Sequence, residues 1–320
     1  MESIRNMHHK ARNRGISVAV LSATFMGFIP IFGKQSLIFG FSPLAVVALR
    51  SLLAALLLAF IIIVFRRNLL YIYPVGIYGC ALAGFFNGIG SILYYSAQTR
   101  LDAGVGHMLY SLYPLFTAFW LMVDSQPLNK ITVVRIMLSI PAVYLMVHSN
   151  GGSIDIIGVL LMLGAALFYA LHLIINQRIL FEAPAPTVTL YTLIAMGVTT
   201  SAAFLIFSPQ LPKVGVIWLP AIGMGILTFL SRITLFLGVK RIGGMQTALL
   251  GLAELIVTLI LAHVWLGEKL ALSQWLGASL LSLVLIMVIF DHHTPQRVKA
   301  SGILSWLNPP SIRPQDAPWR

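Results

Sequence analysis

The stretch LLGLAELIVTLILAHVWLGEKL, residues 249–270, is an apolar run that contains one carboxylate near its start, Glu254, and a second at its end, Glu268. Because an α-helix rises about 1.5 Å per residue, about 20 such residues cross the roughly 30 Å of hydrocarbon in a bilayer. An ionisable side chain inside a membrane helix is costly, so it needs a partner or serves a function. The stretch therefore predicts a membrane helix that carries an acid at mid-depth.

Similar apolar runs recur along the whole chain of 320 residues, of which 58% are hydrophobic and only 9% are charged. Soluble domains carry roughly a quarter charged residues, so this composition excludes a water-soluble globular protein. The pattern predicts an all-α membrane protein with ten transmembrane helices, embedded in a lipid bilayer. The ten predicted spans are 16–33, 43–65, 71–97, 104–123, 131–148, 156–175, 187–207, 215–239, 245–265 and 271–290.

The turn-like stretch NGGSID at 150–155 divides these spans five and five. Aligned at an offset of 143 residues, Pro43 corresponds to Pro186 near the start of the equivalent span in each half. Because five is an odd number, the second half must enter the bilayer upside down relative to the first, as in many secondary transporters. The sequence thus predicts two inverted five-helix repeats with a binding site between them. The predicted segments are a basic N-terminal segment at 1–15, repeats at 16–148 and 156–290, and a disordered or surface-bound tail at 291–320.

The net charge of +12 suggests an acidic partner, but the basic residues lie in short loops and tails and form no dense face, which argues against nucleic acid. With both termini placed in the cytoplasm, fifteen of the 21 Lys and Arg residues lie on the inner side and four on the outer side. This positive-inside bias predicts a multi-pass protein of the cytoplasmic (inner) membrane. Arg50 and Arg232 are the remaining two, and both lie inside predicted spans.

Sequence signatures of an enzyme are missing. The single cysteine, Cys80, excludes a disulfide framework and a Cys-based metal site. The chain has no G-x-S-x-G, H-E-x-x-H or Walker-type motif, and no paired acidic cluster that would hold a metal. We therefore predict a protein that is not an enzyme and has no cofactor.

Three stretches resemble EamA-type ten-helix transporters of the drug/metabolite transporter superfamily. They are SPLAVVALRSLLAALLL (42–58), SLYPLFTAFWL (111–121) and GLAELIVTLILAHVWLGEKLALSQWLG (251–277), in which Glu254 and the pair Gly267-Glu268 occupy positions typical of the family. The resemblance covers residues 15–290. The chain departs from the family pattern at SQPL (125–128), where a Gly-Glu pair is common, so no substrate is carried over from a relative.

The resemblance implies secondary transport of a small metabolite, amino acid-like, amphipathic or drug-like, by alternating access, with export as the expected direction. It places the substrate cavity between spans 1–4 and 6–9 and leaves the fifth and tenth spans peripheral or in contact with a partner. Proton coupling, substrate exchange and a homodimer stay open. The alternative is a membrane-embedded scaffold or subunit without a transport cycle. A water-filled central cavity distinguishes the two, because a scaffold is expected to pack this space shut.

Glu254 and Arg232 each lie eleven residues from the turn near Gly243, on consecutive antiparallel spans, and so at the same depth. Each alone costs roughly 2.5–3.5 kcal/mol at the centre of a membrane helix, so a direct or water-linked pair is the simplest relief. The alternative is that each satisfies other groups separately. Glu254 is also a candidate proton carrier, but a structural pair that borders the substrate path is the favoured interpretation.

Further candidates for the substrate site are polar or aromatic residues at membrane depth. Arg50, seven residues inside the second span, is either an anchor that reaches to the outer interface or a contact for an anionic substrate group. Tyr110 and Tyr113 are three residues apart on one predicted helical face and too deep for an interfacial belt, so we expect both to line the cavity. The remaining cavity-lining candidates are Asn87, Tyr94 and His172.

Overall fold

The structure, a computed structural model, describes residues 2–101, 103–125, 130–147, 155–207, 210–211, 217–265, 267, 271–287 and 302–307. Within these residues the chain is all-helical and contains no β-strand. A short 3₁₀ helix, Arg67–Leu70, follows the second α-helix. The α-helices of these ranges are α1 Glu2–Ile38, α2 Pro43–Phe65, α3 Pro74–Gln98, α4 Ala103–Tyr110, α5 Tyr113–Val123, α6 Lys130–Val147, α7 Ile156–Leu180, α8 Ala185–Phe207, α9 Leu219–Ile242, α10 Gly244–Gly251, α11 Ala253–Trp265 and α12 Leu272–Ile286.

Seven segments of the described chain are long and apolar enough to cross a membrane. They are Asn13–Ile38, Pro43–Phe65, Pro74–Gln98, Ile156–Leu180, Ala185–Phe207, Leu219–Ile242 and Gly244–Trp265. The predicted spans 104–123, 131–148 and 271–290 are not among the seven. They correspond to α4 with α5, to α6, and to α12, whose predicted end lies partly outside the described residues. The count of ten membrane spans stays a prediction.

The two prolines singled out in the sequence lie at equivalent helix starts. Pro43 is the first residue of α2, and the hydroxyl of Ser42 accepts a hydrogen bond from the backbone N–H of Ala45 at 3.2 Å. Pro186 is the second residue of α8. Proline is favoured there because its fixed φ suits a helix and its missing N–H lies in the first turn, where no carbonyl of the helix would receive it.

The predicted span 104–123 is not one continuous helix, because α4 and α5 are separated at Ser111 and Leu112. Pro114, in the first turn of α5, has no N–H to donate and its ring clashes with the preceding turn, which accounts for the break. The span 245–265 is likewise interrupted at Leu252, between α10 and α11. The two interruptions lie close together, since the hydroxyl of Tyr113 at the start of α5 donates to the carbonyl oxygen of Ala248 in α10 at 2.9 Å.

The helices of the first half, α1 to α6, pack mainly against those of the second half, α7 to α12. Helix α1 packs on α9 and α11, α2 on α8 and α9, and α3 on α7 and α8, while α6 packs on α12. In GFFNGIGS (84–91), Gly84 permits the close approach of α3 and α8, because a Cβ at this position would lie 2.5 Å from the Cβ of Ala195 and from the carbonyl oxygen of Thr192. The core therefore lies between the two halves.

Replacing Gly84 with Ala is expected to lower the free energy of unfolding by about 1–3 kcal/mol, because the new methyl group meets backbone that cannot move aside without separating the two helices. Gly223→Ala is the matched control, since a Cβ there has its nearest neighbours, in the ring of Phe32, at 3.9 Å. The control should be neutral or slightly stabilising. Thermal unfolding of both purified variants in detergent measures the difference, and equal stability would show that the contact at Gly84 is not tight.

The tail is predicted to be disordered or surface-bound, and the structure places residues 302–307 of it against the helix bundle. These residues form a turn whose Leu304 and Leu307 are buried in the main hydrophobic core. The backbone N–H of Leu304 donates to Oδ1 of Asp124 at 3.1 Å. The sequence does not predict this docking, because the turn has too few apolar residues to show a helical period and its partners are distant in sequence. The other residues of the predicted tail lie outside the described part of the chain.

Candidate functional site

A cavity lies between the two halves; about 500 Å³ of space there, part of it open to solvent, is not filled by protein atoms. Helices α1, α2, α3 and α4 of the first half and α7, α9 and α11 of the second half form its wall. Among the described residues, none from α6 or α12 lines it. The lining residues are Met26, Ile29, Pro30, Arg50, Asn87, Gly90, Ser91, Tyr94, Tyr95, His107, Tyr110, Tyr169, Ser231, Arg232 and Glu254.

Arg232, on α9, presents a buried guanidinium group to this cavity. Its Nη2 donates to Oδ1 of Asn87 at 3.3 Å, and its Nη1 lies 3.4 Å from Nε2 of His172. The guanidinium carbon also lies 5.4 Å from the ring centroid of Tyr169. These neighbours are neutral acceptors and a π face, which orient the guanidinium and leave its positive charge as a feature of the cavity wall.

Glu254, in the first turn of α11, is 0% exposed and lines the same cavity. Neither of its carboxylate oxygens has a hydrogen-bond partner among the described residues. One of its ionisable neighbours is His107, whose Nε2 lies 3.8 Å from Oε1. A buried carboxylate without a donor is costly when ionised, so this position calls for a proton, water or a ligand.

The predicted direct pair of Glu254 with Arg232 is not present, since the structure has no ion pair between them within 4.0 Å. Equal depth brought the two groups to one cavity, but α11 packs on α1 and α4 whereas the Arg232 side chain reaches α3 and α7. A water-linked or longer-range coupling across the cavity is the remaining form of the hypothesis. The acid and the guanidinium are therefore two separate polar points on one wall.

Arg50, on α2, is buried and turned towards the cavity. Its Nη2 donates to Oγ of Ser91 at 2.8 Å, and its guanidinium carbon lies 5.2 Å from the ring centroid of Tyr95. Arg50 therefore links α2 to α3 inside the bundle, which leaves both a structural anchor and an anion contact as its predicted roles. Its Nε has no hydrogen-bond partner among the described residues, so the group retains a donor.

Tyrosine rings form one side of the cavity. The centroids of Tyr94 and Tyr110 are 5.0 Å apart, and those of Tyr110 and Tyr169 are 5.5 Å apart. The hydroxyl of Tyr94 lies 3.1 Å from Nδ1 of His107, whose ring stacks on Tyr110. Such rings offer both apolar area and hydroxyl groups to a ligand.

Two predicted site residues, Tyr113 and His172, lie behind this wall and not on it. Tyr113 is buried, and its hydroxyl contacts Gly251 and donates to Ala248. The break between α4 and α5 falls between Tyr110 and Tyr113, and their ring centroids are 5.6 Å apart. His172 is buried as well, with Nδ1 at 3.1 Å from the carbonyl oxygen of Ala83, and it contacts two lining residues, Arg232 and Tyr169.

Nine of the fifteen lining residues were not predicted from the sequence, and His107 and Tyr169 are two of them. His107 lies three residues before Tyr110 on the same helix and so faces the same way, a spacing that the sequence already shows. Tyr169 lies in the middle of α7, at a depth that the interfacial role of tyrosine does not explain. Among the described residues there is no group of three or more His, Cys, Asp or Glu placed to hold a metal ion.

Comparison with known proteins gives one family. Residues 13–148 and 156–290 each match the profile of the EamA-like transporter family. The chain is 26% identical over 180 residues to the uncharacterized transporter YwfM of Bacillus subtilis (strain 168). The aligned region covers 54% of this chain and 58% of the length of that relative. A solved structure titled only as a crystal structure of a protein superposes with a TM-score of 0.64 at 17% identity, over 84% of this chain and 96% of that one. That likeness concerns the fold alone.

Proposed function

Because the chain belongs to the EamA-like transporter family, we propose that it moves a small metabolite across the cytoplasmic membrane by alternating access. In this proposal the ten spans form two inverted five-helix repeats, both termini lie in the cytoplasm, and the transported direction is export. The substrate path is the cavity between spans 1–4 and 6–9. The fifth and tenth spans, which contain α6 and α12, are peripheral.

The observation that carries the proposal is the set of buried polar atoms that face the cavity without a protein partner. Neither oxygen of Glu254 nor Nε2 of His107 has a hydrogen-bond partner among the described residues. A scaffold would be more stable if it closed this space or gave these polar groups hydrogen-bond partners, because an unsatisfied buried polar group costs about 1–3 kcal/mol. A binding site keeps such groups for its ligand, so the cavity favours a transporter.

Helix geometry supports the same proposal. The breaks between α4 and α5 and between α10 and α11 lie in corresponding spans of the two halves, and residues of α4 and α11 line the cavity. Interrupted helices in corresponding positions of two halves are common where secondary transporters bind their substrates. Such a break also supplies a point at which one half can move against the other.

The chemistry of the wall favours an amphipathic substrate with charged ends. Arg50 and Arg232 offer guanidinium groups to an anionic group, Glu254 offers a carboxylate to a cationic group or a proton, and the tyrosines offer apolar area. This combination suits an amino acid-like compound. With no nucleotide motif in the sequence, the energy comes from a proton gradient, from exchange or from the substrate gradient itself.

The experiment is uptake and efflux of a panel of labelled metabolites in proteoliposomes, with Tyr110→Ala as the test variant. We expect KM for the transported compound to rise about tenfold, because this ring forms the centre of the aromatic wall. Tyr78→Ala is the matched control, since Tyr78 lies on α3 but is 70% exposed and outside the cavity. Its KM should stay within about twofold of the parent value. Equal KM values in both variants would contradict the assigned path, and transport of no compound in the panel would contradict the proposed function.

A further inference from the structure

One end of the bundle is joined across the two halves by a buried ion pair that the tail covers. Asp124 follows the last residue of α5 in the first half, and Arg178 lies in the last turn of α7 in the second half. The Arg178 guanidinium donates to Oδ2 of Asp124 from Nε at 3.0 Å and from Nη2 at 2.6 Å. The other carboxylate oxygen, Oδ1, accepts the backbone N–H of Leu304. The tail and both halves therefore meet at one carboxylate.

Apolar and steric contacts seat the same tail segment. The Leu307 side chain lies against Gly79 of α3, where Ile179 of α7 also packs, and both side chains belong to the main core. Gly302 has a φ of +89°, and a Cβ there would lie 2.5 Å from the carbonyl oxygen of Asp124. Leu304 is 7% exposed and its neighbour Ile303 is 63% exposed, so the turn has a docked face and an outer face.

Two further hydrogen bonds join helices and loops at this end of the bundle. Oε1 of Gln177 accepts the backbone N–H of Gly244 at 2.8 Å, which links α7 to the start of α10. Lys240, in the last turn of α9, donates to the carbonyl oxygen of Ala183 at 2.8 Å. The tail segment thus lies over an end of the bundle where the helix termini are held together.

We propose that residues 302–307 form a strap that holds this end of the two halves closed, and that the cavity opens towards this end only after the strap leaves. The inference rests on the proposed function, because alternating access requires the halves to part at each end in turn. The strap binds a surface made of both halves, so it stabilises the closed arrangement and contributes nothing to an arrangement in which α5 and α7 have separated. Detachment of the strap therefore shifts the population towards the open state at this end.

The test measures access to this end without any substrate. Cys80 is changed to Ala, and Ala248→Cys is introduced as a reporter, because Ala248 is buried on α10, which packs against α5 and α7. The rate of alkylation by N-ethylmaleimide is compared for the parent, Leu304→Asp and Ile303→Asp. We expect Leu304→Asp to raise the rate about tenfold or more, whereas Ile303→Asp, on the outer face of the same turn, stays within about twofold.

A second reporter separates opening of this end from general loosening. Ser36 lies near the end of α1 and is buried. The labelling rate of Ser36→Cys should be the same with and without Leu304→Asp. Deletion of residues 301–320 should reproduce the effect of Leu304→Asp at position 248. Equal labelling of position 248 in all variants, or equal increases at both reporters, would overturn the strap. Failure of every compound in the transport panel would instead overturn the proposed function, while the labelling result would stand.

Discussion

Replacing Asp124 with Ala is expected to lower the free energy of unfolding by about 3–5 kcal/mol, because it removes a buried carboxylate that attracts and hydrogen-bonds the desolvated guanidinium of Arg178. Arg178 is buried, and its Nε and Nη2 both donate to this carboxylate. The variant also loses the acceptor for the backbone N–H of Leu304. Thermal or chemical unfolding of the purified protein in detergent measures the change.

The matched control is the exposed ion pair between Arg100 and Asp155, whose atoms Nη1 and Oδ2 are 2.9 Å apart. Both side chains are partly in solvent, so their attraction is screened and Arg100→Ala should change stability far less than Asp124→Ala. The hydrogen bond from Arg100 lowers the pKa of Asp155. The contribution of this pair is therefore present at neutral pH and is lost as the pH falls through that lowered pKa. Equal losses in the two variants at neutral pH would contradict the role given to burial.

Replacing Arg232 with Gln is expected to lower the transport rate about 100-fold, because it removes the positive charge of α9 from the cavity and hydrogen bonds to charged groups contribute about 1.5–3 kcal/mol each. The partners Asn87 and His172 would lose the same guanidinium. Arg232→Lys keeps the charge but not the planar fork, so its rate should be intermediate. Rates are measured in proteoliposomes at matched protein incorporation. A wild-type rate for Arg232→Gln would show that this charge does not act on the substrate.

A double-mutant cycle with Glu254→Gln defines how the two charges are related. A direct pair would let the double variant recover most of the folding stability lost in the single variants. Because the structure has no direct contact between these groups, we expect a coupling energy below about 1 kcal/mol. A larger favourable coupling would indicate that the two groups pair in another state of the transport cycle. If Glu254 carries the coupled proton, Glu254→Gln should lose pH-driven transport and keep substrate exchange.

The sequence predicted the depth of the polar groups but not their partners. Hydrophobic length and distance from a turn are local properties, so Arg50, Arg232 and Glu254 were placed inside the membrane without a structure. Which way a side chain points depends on the rotation of its helix and on the neighbours packed against it. For this reason the direct pair of Glu254 with Arg232 was wrong, and the proximity of His107 to Glu254 was missed.

Only one of the two helix interruptions is foreseeable from the sequence. The break before α5 is foreseeable from Pro114, since proline ends the hydrogen-bond ladder of the preceding turn. The break at Leu252 has no such residue, and it lies where Tyr113 contacts Gly251 from a distant part of the chain. The docking of residues 302–307 and the ion pair of Asp124 with Arg178 also join positions far apart in sequence, which no local pattern encodes.

The most direct test of the central claim, that the cavity opens alternately to both sides of the membrane, is the accessibility of one cysteine on its wall. In a Cys80→Ala background, Ser231→Cys places a thiol of nearly the same size as the native hydroxyl in the lining of α9. A membrane-impermeant thiol reagent is added to right-side-out and to inside-out vesicles. The account predicts labelling from both sides, because each state of an alternating-access cycle exposes the cavity to one compartment. Labelling from one side only, or from neither, would contradict it and favour a scaffold.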